Sequence, residues 1–203
     1  MTSQHWNDAY AHGDETRSWF QVAPEPSLRI LDEIGVRSTD SVIDVGGGAS
    51  RLVDALLERG HTDITVLDVS AAALTIGKQR LGPAAERIHW LTTDLLDWRP
   101  ERAWHVWHDR ALLHFFSAED ARARYVPVLE AATETGSVAV LATFAPDGPD
   151  HCSGLPVTRY DADRLADLLG VRWRALAQFQ DEHTTPAGVV QPFTWVAFSR
   201  GDY

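Results

Sequence analysis

The chain has 203 residues, 44% hydrophobic and 23% charged, which suits one domain with a proper core and excludes a disordered chain. Its 29 Asp and Glu outweigh 18 Lys and Arg, and this net charge of −11 argues against a general nucleic-acid binder, because phosphate contacts need clustered cations. A single cysteine, Cys152, excludes an internal disulfide and a cysteine-rich zinc site and fits a reducing compartment.

The N-terminal stretch "MTSQHWNDAYAHGDETRSWF" has no apolar signal core, and no run approaches the roughly 20 residues of a membrane span, so a cytoplasmic protein is expected. Trp6 and Trp19 fall within this stretch, and residues 1–24 read as a cap that either packs on the body or closes over a ligand. "SVIDV" (41–45) reads as a strand ending at glycines, and "RLVDALLERG" (51–60) as a helix with Leu52, Val53, Leu56 and Leu57 on one face. "DITVLDV" (63–69) is the next strand, "AAALTIGKQRLG" (71–82) a helix, "RIHWL" (87–91) a third strand and "AWHVW" (103–107) a fourth. A helix over 118–133 follows, with Ser117 as cap and Pro127 bending it, and then a strongly apolar strand over 136–145. Residues 147–156 read as loop and 161–170 as a short helix. Strand-like stretches at 172–180 and 190–200 suggest a terminal antiparallel pair.

Alternating strands and helices predict a single α/β domain over 1–203, with a mainly parallel sheet covered on both faces. Ligands of such sheets bind at the carboxyl ends of the strands, which directs attention to Asp44–Ser50, Asp68–Ser70, Asp94 and His108–Arg110. Gly46, Gly47 and Gly48 permit a tight turn and close approach of a ligand. Asp68, 22 positions after Gly46, suits a carboxylate accepting from ribose hydroxyls, which leaves a dinucleotide and an adenosyl ligand both open. Two residues separate them. Arg51 stands where the dinucleotide fingerprint wants a third glycine, and Asp44 is unhelpful beside a pyrophosphate but useful beside an ammonium.

"VIDVGGGAS", "VLDVS", "LTTDLL" and "VWHDRALLHFF", in this order, resemble the motifs of the class I, Rossmann-like S-adenosylmethionine-dependent methyltransferases. "SWFQ", "FAPDGPDHCSGLPVTRY" and "HTTPAGVVQPF" are similar to stretches of its small bacterial members. The resemblance implies a seven-stranded sheet whose last strand is antiparallel, with S-adenosylmethionine as cofactor and S-adenosylhomocysteine as product. By position it implies that Asp44, Gly46 and Gly48 hold the methionine end, with Gly47 and Ser50 also binding the cofactor. It also implies that Asp68 binds the ribose with Val69 beside the adenine, that Asp94 takes the adenine amino group with Leu95 beside it, that His108 lies by the methionine part, and that Trp19 closes the site.

Methyl transfer is a displacement at a sulfonium carbon, and alignment of bound reactants can supply roughly 7–11 kcal/mol, so no catalytic base is obligatory. A thiol acceptor needs little help with its proton and an amine much more. If "WHDRALLHFF" is helical, Arg110 and His114 share a face, Arg110 to bind an anion and His114 as a base; the alternatives are an Asp109–Arg110 pair and a packed His114. Cys152 and the loop histidine His183 are candidates for the acceptor pocket, and Trp6, Trp19 and Phe20 for a lid. No tight spacing of Asp, Glu and His marks a metal site.

The leading expectation is methyl transfer to a small-molecule acceptor through sulfur, another soft atom, oxygen or nitrogen, by a monomer or homodimer without nucleic-acid or membrane partners. A protein lysine methyltransferase, a non-catalytic binder of S-adenosylmethionine and a nicotinamide-dependent oxidoreductase are the rivals.

Overall fold

A computed structural model describes residues 2–11 and 13–202; residues 1 and 12 of the expected cap segment lie outside the described residues. A seven-stranded sheet runs in the order β3-β2-β1-β4-β5-β9-β8. The strands are β1 (Val42–Val45), β2 (Ile64–Asp68), β3 (Ile88–Thr92), β4 (Val106–Arg110), β5 (Val138–Phe144), β8 (Trp173–Thr184) and β9 (Val190–Arg200). Pairings from β3 across to β5 are parallel. β9 runs antiparallel to both β5 and β8, as the terminal pair suggests. β6 (His151–Cys152) and β7 (Leu155–Pro156) form a separate small hairpin inside the expected loop 147–156.

Helices cover both faces. On one, α2 (Glu25–Glu33), α3 (Leu52–Glu58) and α4 (Ala71–Leu81) bury Ile30, Leu31, Leu52, Val53, Leu56 and Leu74 against Val42, Ile64 and Val66. On the other, α5 (Glu119–Ala131) and α6 (Ala162–Leu169) bury Tyr125, Val128, Leu129, Leu165 and Leu169 against Ile43, Val45, Leu67 and Trp107. Neighbouring residues of β1 feed opposite cores because strand side chains alternate. α1 (Ser3–Tyr10) docks on the start of α4, where Asn7 Oδ1 accepts from the Ser70 hydroxyl (2.9 Å) and the Ala72 N–H (3.2 Å).

Several boundaries correct the reading above. α2 was not expected; its signals are Pro26 near its start and Gly35 just past its end. The fourth strand lies three residues later than expected, so His108 and Arg110 are strand residues rather than residues following a strand. "HVWHDR" hides this because two polar side chains within the strand, His108 and Asp109, are buried, at 1% and 0% exposed. Ala118, not Ser117, occupies the N-cap of α5, with no side-chain cap, and Pro127 lies inside the helix. β8 extends to Thr184, so His183 is a strand residue. No helix among the described residues is long and apolar enough to cross a membrane.

Candidate active site

β1 stands between β2 and β4, and the helix after β1 covers one face of the sheet while the helix after β4 covers the other. Strand order reverses here, so a crevice opens beyond the carboxyl ends of the strands. It holds a cavity of about 290 Å³. Asp44, Gly46, Gly47, Ser50, Asp68, Val69, Asp94, Leu95, His108, Arg110 and Trp19 all line it. Gly48 is not part of this lining and packs beside Tyr10 and Asp68.

Asp44 is 3% exposed, at the point where β1 meets the glycine turn. Its Oδ1 lies 2.7 Å from His108 Nδ1, directly across the β1–β4 pairing. A carboxylate only accepts, so the imidazole donates through Nδ1. Nε2 then lies 3.0 Å from the Ser27 hydroxyl on α2, and Ser27 is itself 1% exposed. This buried chain orients one carboxylate oxygen and leaves the other, Oδ2, without a partner among the described residues. A buried acceptor without a donor costs about 1–3 kcal/mol, which a cationic ligand group would offset.

The turn is shaped by what its glycines lack. A Cβ on Gly47 would stand 2.6 Å from Asp44 Oδ2 and 2.9 Å from Val66 Cγ1. Gly46 has φ +66°, a region side chains avoid, and a Cβ there would strike Leu112 at 2.8 Å. Arg80 on α4 anchors the segment beyond the turn: its guanidinium donates to the carbonyls of Ala49 (2.8 Å) and Ser50 (2.9 Å) and pairs with Asp54 at 2.7 Å. The Ser50 hydroxyl accepts from the Leu52 N–H. Cofactor atoms therefore fit here on two grounds, an orphaned buried carboxylate oxygen and a cavity-lining turn packed too closely for a Cβ at Gly46 or Gly47.

Asp68 closes β2, and its Oδ1 accepts from the Ser70 N–H at 2.7 Å. Burial pushes its carboxyl up to about 7, with a further push from Asp44. Asp94 is held the same way by the Leu96 N–H at 2.9 Å. Tyr10 completes this side; its hydroxyl accepts from Trp19 Nε1 at 2.8 Å, and burial raises its pKa well above the ordinary value.

The residues after β4 do not form the helix that would align Arg110 with His114. Ala111 takes φ +64° and its N–H bonds the Ala142 carbonyl at 2.8 Å, so the chain turns sharply away from the strand. Asp109 points to the opposite face of the sheet rather than to Arg110. Its Oδ1 accepts from Leu112 and Leu113 N–H, and its Oδ2 accepts from the Tyr125 hydroxyl at 2.8 Å. Arg110 remains in the cavity, where both of its Nη atoms donate to the Trp19 carbonyl at 3.0 Å. Burial lowers it to about 10. His114 is 0% exposed, packed edge-on against Phe115 and tilted against Phe144 outside the cavity lining, and burial drives it down to about 3.

Cys152 lines the cavity, and burial pushes its thiol up to about 11. His183 borders a separate concavity between the N-terminal segment and the β8–β9 hairpin, where Nε2 donates to the Ser18 carbonyl at 2.7 Å. The cap contributes Trp6, Tyr10, Trp19 and Phe20 to the cavity lining. Tyr10, Ser27 and Arg80 escape sequence reasoning, because nothing near them in the chain signals the partner each meets.

Residues 42–138 match the family model described as a methyltransferase domain. No curated protein is significantly similar in sequence. Among solved structures, one from work on the conversion of a disulfide bond into a thioacetal group during echinomycin biosynthesis superposes with TM-score 0.77 at 20% identity, over 98% of this chain and 93% of that one. A SAM-dependent methyltransferase from Anabaena variabilis gives 0.76 at 15% identity over 98% and 93%. The 1,6-didemethyltoxoflavin-N1-methyltransferase of Burkholderia thailandensis, with S-adenosylhomocysteine bound, gives 0.68 at 19% identity over 98% and 84%.

Proposed function

We propose that this chain is a class I methyltransferase that transfers a methyl group from S-adenosylmethionine to a small-molecule acceptor, a reading supported by the methyltransferase-domain match over residues 42–138 and by the fold. The observation that carries the cofactor reading is Asp44: a buried carboxylate at the glycine turn, oriented by His108, with one oxygen unpartnered. That is a seat for an ammonium and a poor one for a pyrophosphate.

Bound S-adenosylmethionine would supply an electrophilic methyl on a sulfonium, and the rest of the chemistry is positioning. Asp44 would accept from the ammonium, Asp68 from the ribose hydroxyls and Asp94 from the adenine amino group, with Val69 and Leu95 packing beside the base. Gly46 and Gly47 admit the methionine end, Gly48 supports the turn, and the Ser50 hydroxyl steadies the first turn of α3. Trp6, Trp19 and Phe20 of the cap segment 1–24 would exclude water above the site. Arg110 is assigned to the acceptor. His114 is assigned to packing, because its ring stands behind the cavity wall and its neutral form is strongly favoured. An acceptor that loses its proton easily, such as a thiol, suits a site without a base.

A small acceptor is favoured over a lysine side chain because the cavity lies beneath the N-terminal cap. Among the structures described above, the Burkholderia protein, named for methylation of 1,6-didemethyltoxoflavin, points the same way. Calorimetry with S-adenosylhomocysteine and with a nicotinamide dinucleotide tests the reading, followed by detection of S-adenosylhomocysteine formed with thiols, phenols and amines. Binding of the first ligand alone and product formation with a small acceptor are expected. Dinucleotide binding alone would overturn the cofactor, labelled methyl in protein only would favour the lysine reading, and binding without turnover would favour a non-catalytic binder.

A further inference from the structure

Beyond the strand ends assigned to the cofactor, the cavity is walled by aromatic rings. Trp6 meets Trp19 edge-on at 5.7 Å and Phe115 at 5.0 Å between ring centroids, and Cys152 adds a thiol kept protonated by its burial. Two arginines line the cavity. Arg51 approaches Glu15 at 3.7 Å and lies over Phe20, so its charge has a partner on the chain. Arg110 forms no salt bridge among the described residues; a single carbonyl takes both of its terminal nitrogens, and the Phe193 ring lies 5.7 Å away.

Asp44 and Asp181 act on Arg110 through space, and neither bonds it. Asp44 is already committed to His108 and faces the glycine turn. A half-buried guanidinium without a bonded counter-ion is incompletely compensated, and it is poised for an anion that arrives with the ligand. Its planar donor fork matches a carboxylate or another delocalised anion.

We infer that the methyl acceptor is a small flat acid, an aromatic or heteroaromatic ring carrying a carboxylate or an ionised hydroxyl, with the anion on Arg110 and the ring against Trp6 and Trp19. This rests on the methyltransferase reading above and deepens it. Arg110 sets which acceptors are taken rather than how the cofactor binds. It sits one strand over from the glycine turn, opposite Ala142 of β5, whereas Asp44 pairs with His108.

The test uses the full chain saturated with S-adenosylhomocysteine. Benzoate, salicylate, nicotinate and indole-3-carboxylate are each titrated against the matching amide, followed by calorimetry and tryptophan fluorescence. At least one acid is expected to bind about tenfold or more tightly than its amide. R110M should erase that preference, and R110K should retain part of it because the charge stays while the fork is lost. Failure of the wild type to bind S-adenosylhomocysteine would overturn the underlying reading. S-adenosylhomocysteine bound normally, with no acid preferred over its amide, would overturn this inference alone. So would R110M folding normally but losing S-adenosylhomocysteine affinity, which would assign Arg110 to the cofactor's own carboxylate. If R110M does not fold, the wild-type comparison and R110K decide.

Discussion

At the ends of β2 and β3 the carboxylates are oriented by backbone two residues further on: Asp68 by Ser70 and Asp94 by Leu96. At the other end of the same cavity no comparable local device exists. Arg110 is held by the Trp19 carbonyl, 91 residues earlier in the chain, with the Phe193 ring of β9 beside it, and the other rings of this end, Trp6, Trp19 and Phe115, come from the N-terminal cap and the segment after β4. The difference separates two kinds of binding site. The first is a set of short strand-and-turn motifs that tolerates little change, since a single Cβ on Gly47 would collide with Asp44. The second is assembled by docking of a separate helix, so no short segment of the chain contains it.

The largest effect is expected at the rigid end. Asp44→Asn should weaken S-adenosylhomocysteine binding by about 3 kcal/mol, roughly 100-fold, because the seat for the ammonium loses its charge while still buried. Binding of 5′-methylthioadenosine, which lacks the amino-acid end, should change little. Equal losses for both ligands would show that the variant damages the turn as a whole.

A pH series tests Asp68. Its carboxyl is raised to about 7, and ribose hydroxyls need an ionised acceptor. Affinity for S-adenosylhomocysteine should therefore be full above that pH and fall by up to about tenfold per unit below it. Asp44 and Tyr10 lie near enough to Asp68 to act on its charge, and Tyr10 stays neutral throughout because burial raises its pKa. Asp68→Asn should lower affinity and flatten the profile; a slope that survives in Asp68→Asn would assign the titration elsewhere.

At the assembled end, Trp6→Ala should raise the acceptor KM about tenfold, the value of one aromatic contact with its burial, and leave cofactor affinity nearly unchanged. A matching loss of cofactor affinity would mean that the cap serves both ligands equally.

The smallest effect on turnover is expected at His114. Its folded pKa of about 3 lies below the ordinary 6.5, so the unfolded chain binds the extra proton between these values. Stability from this group is thus complete above about 6.5 and declines as pH falls toward 3. Both ring nitrogens also lack partners among the described residues. His114→Leu should preserve methyl transfer and raise the melting temperature, more at pH 5 than at pH 8. Abolished turnover in a folded His114→Leu protein would restore this residue as a catalytic candidate.

Much of the rigid end was legible in the chain. The apolar run ending in "DVGGG" and the acidic residue closing "VLD" are local patterns, and strand ends are where such sheets bind ligands. The pattern misled where burial contradicts polarity. The strand Val106–Arg110 was displaced because His108, Asp109 and Arg110 look like surface residues, yet each is neutralised or bonded by a group far away in sequence.

Sequence periodicity and turn chemistry alone determined the α/β order, the glycine turn and the carboxylates at the strand ends, because strands, turns and their immediate hydrogen bonds depend on neighbours a few residues apart. Only the tertiary structure decided that Ser27 and His108 orient Asp44, that Arg110 enters the cavity while Asp109 and His114 leave it, and that Trp6 and Trp19 roof it. Those choices depend on which side of β4 each side chain takes and on what a distant helix brings to it. Alternation along a strand assigns the side only once its start is known, and here a three-residue shift changed the assignment.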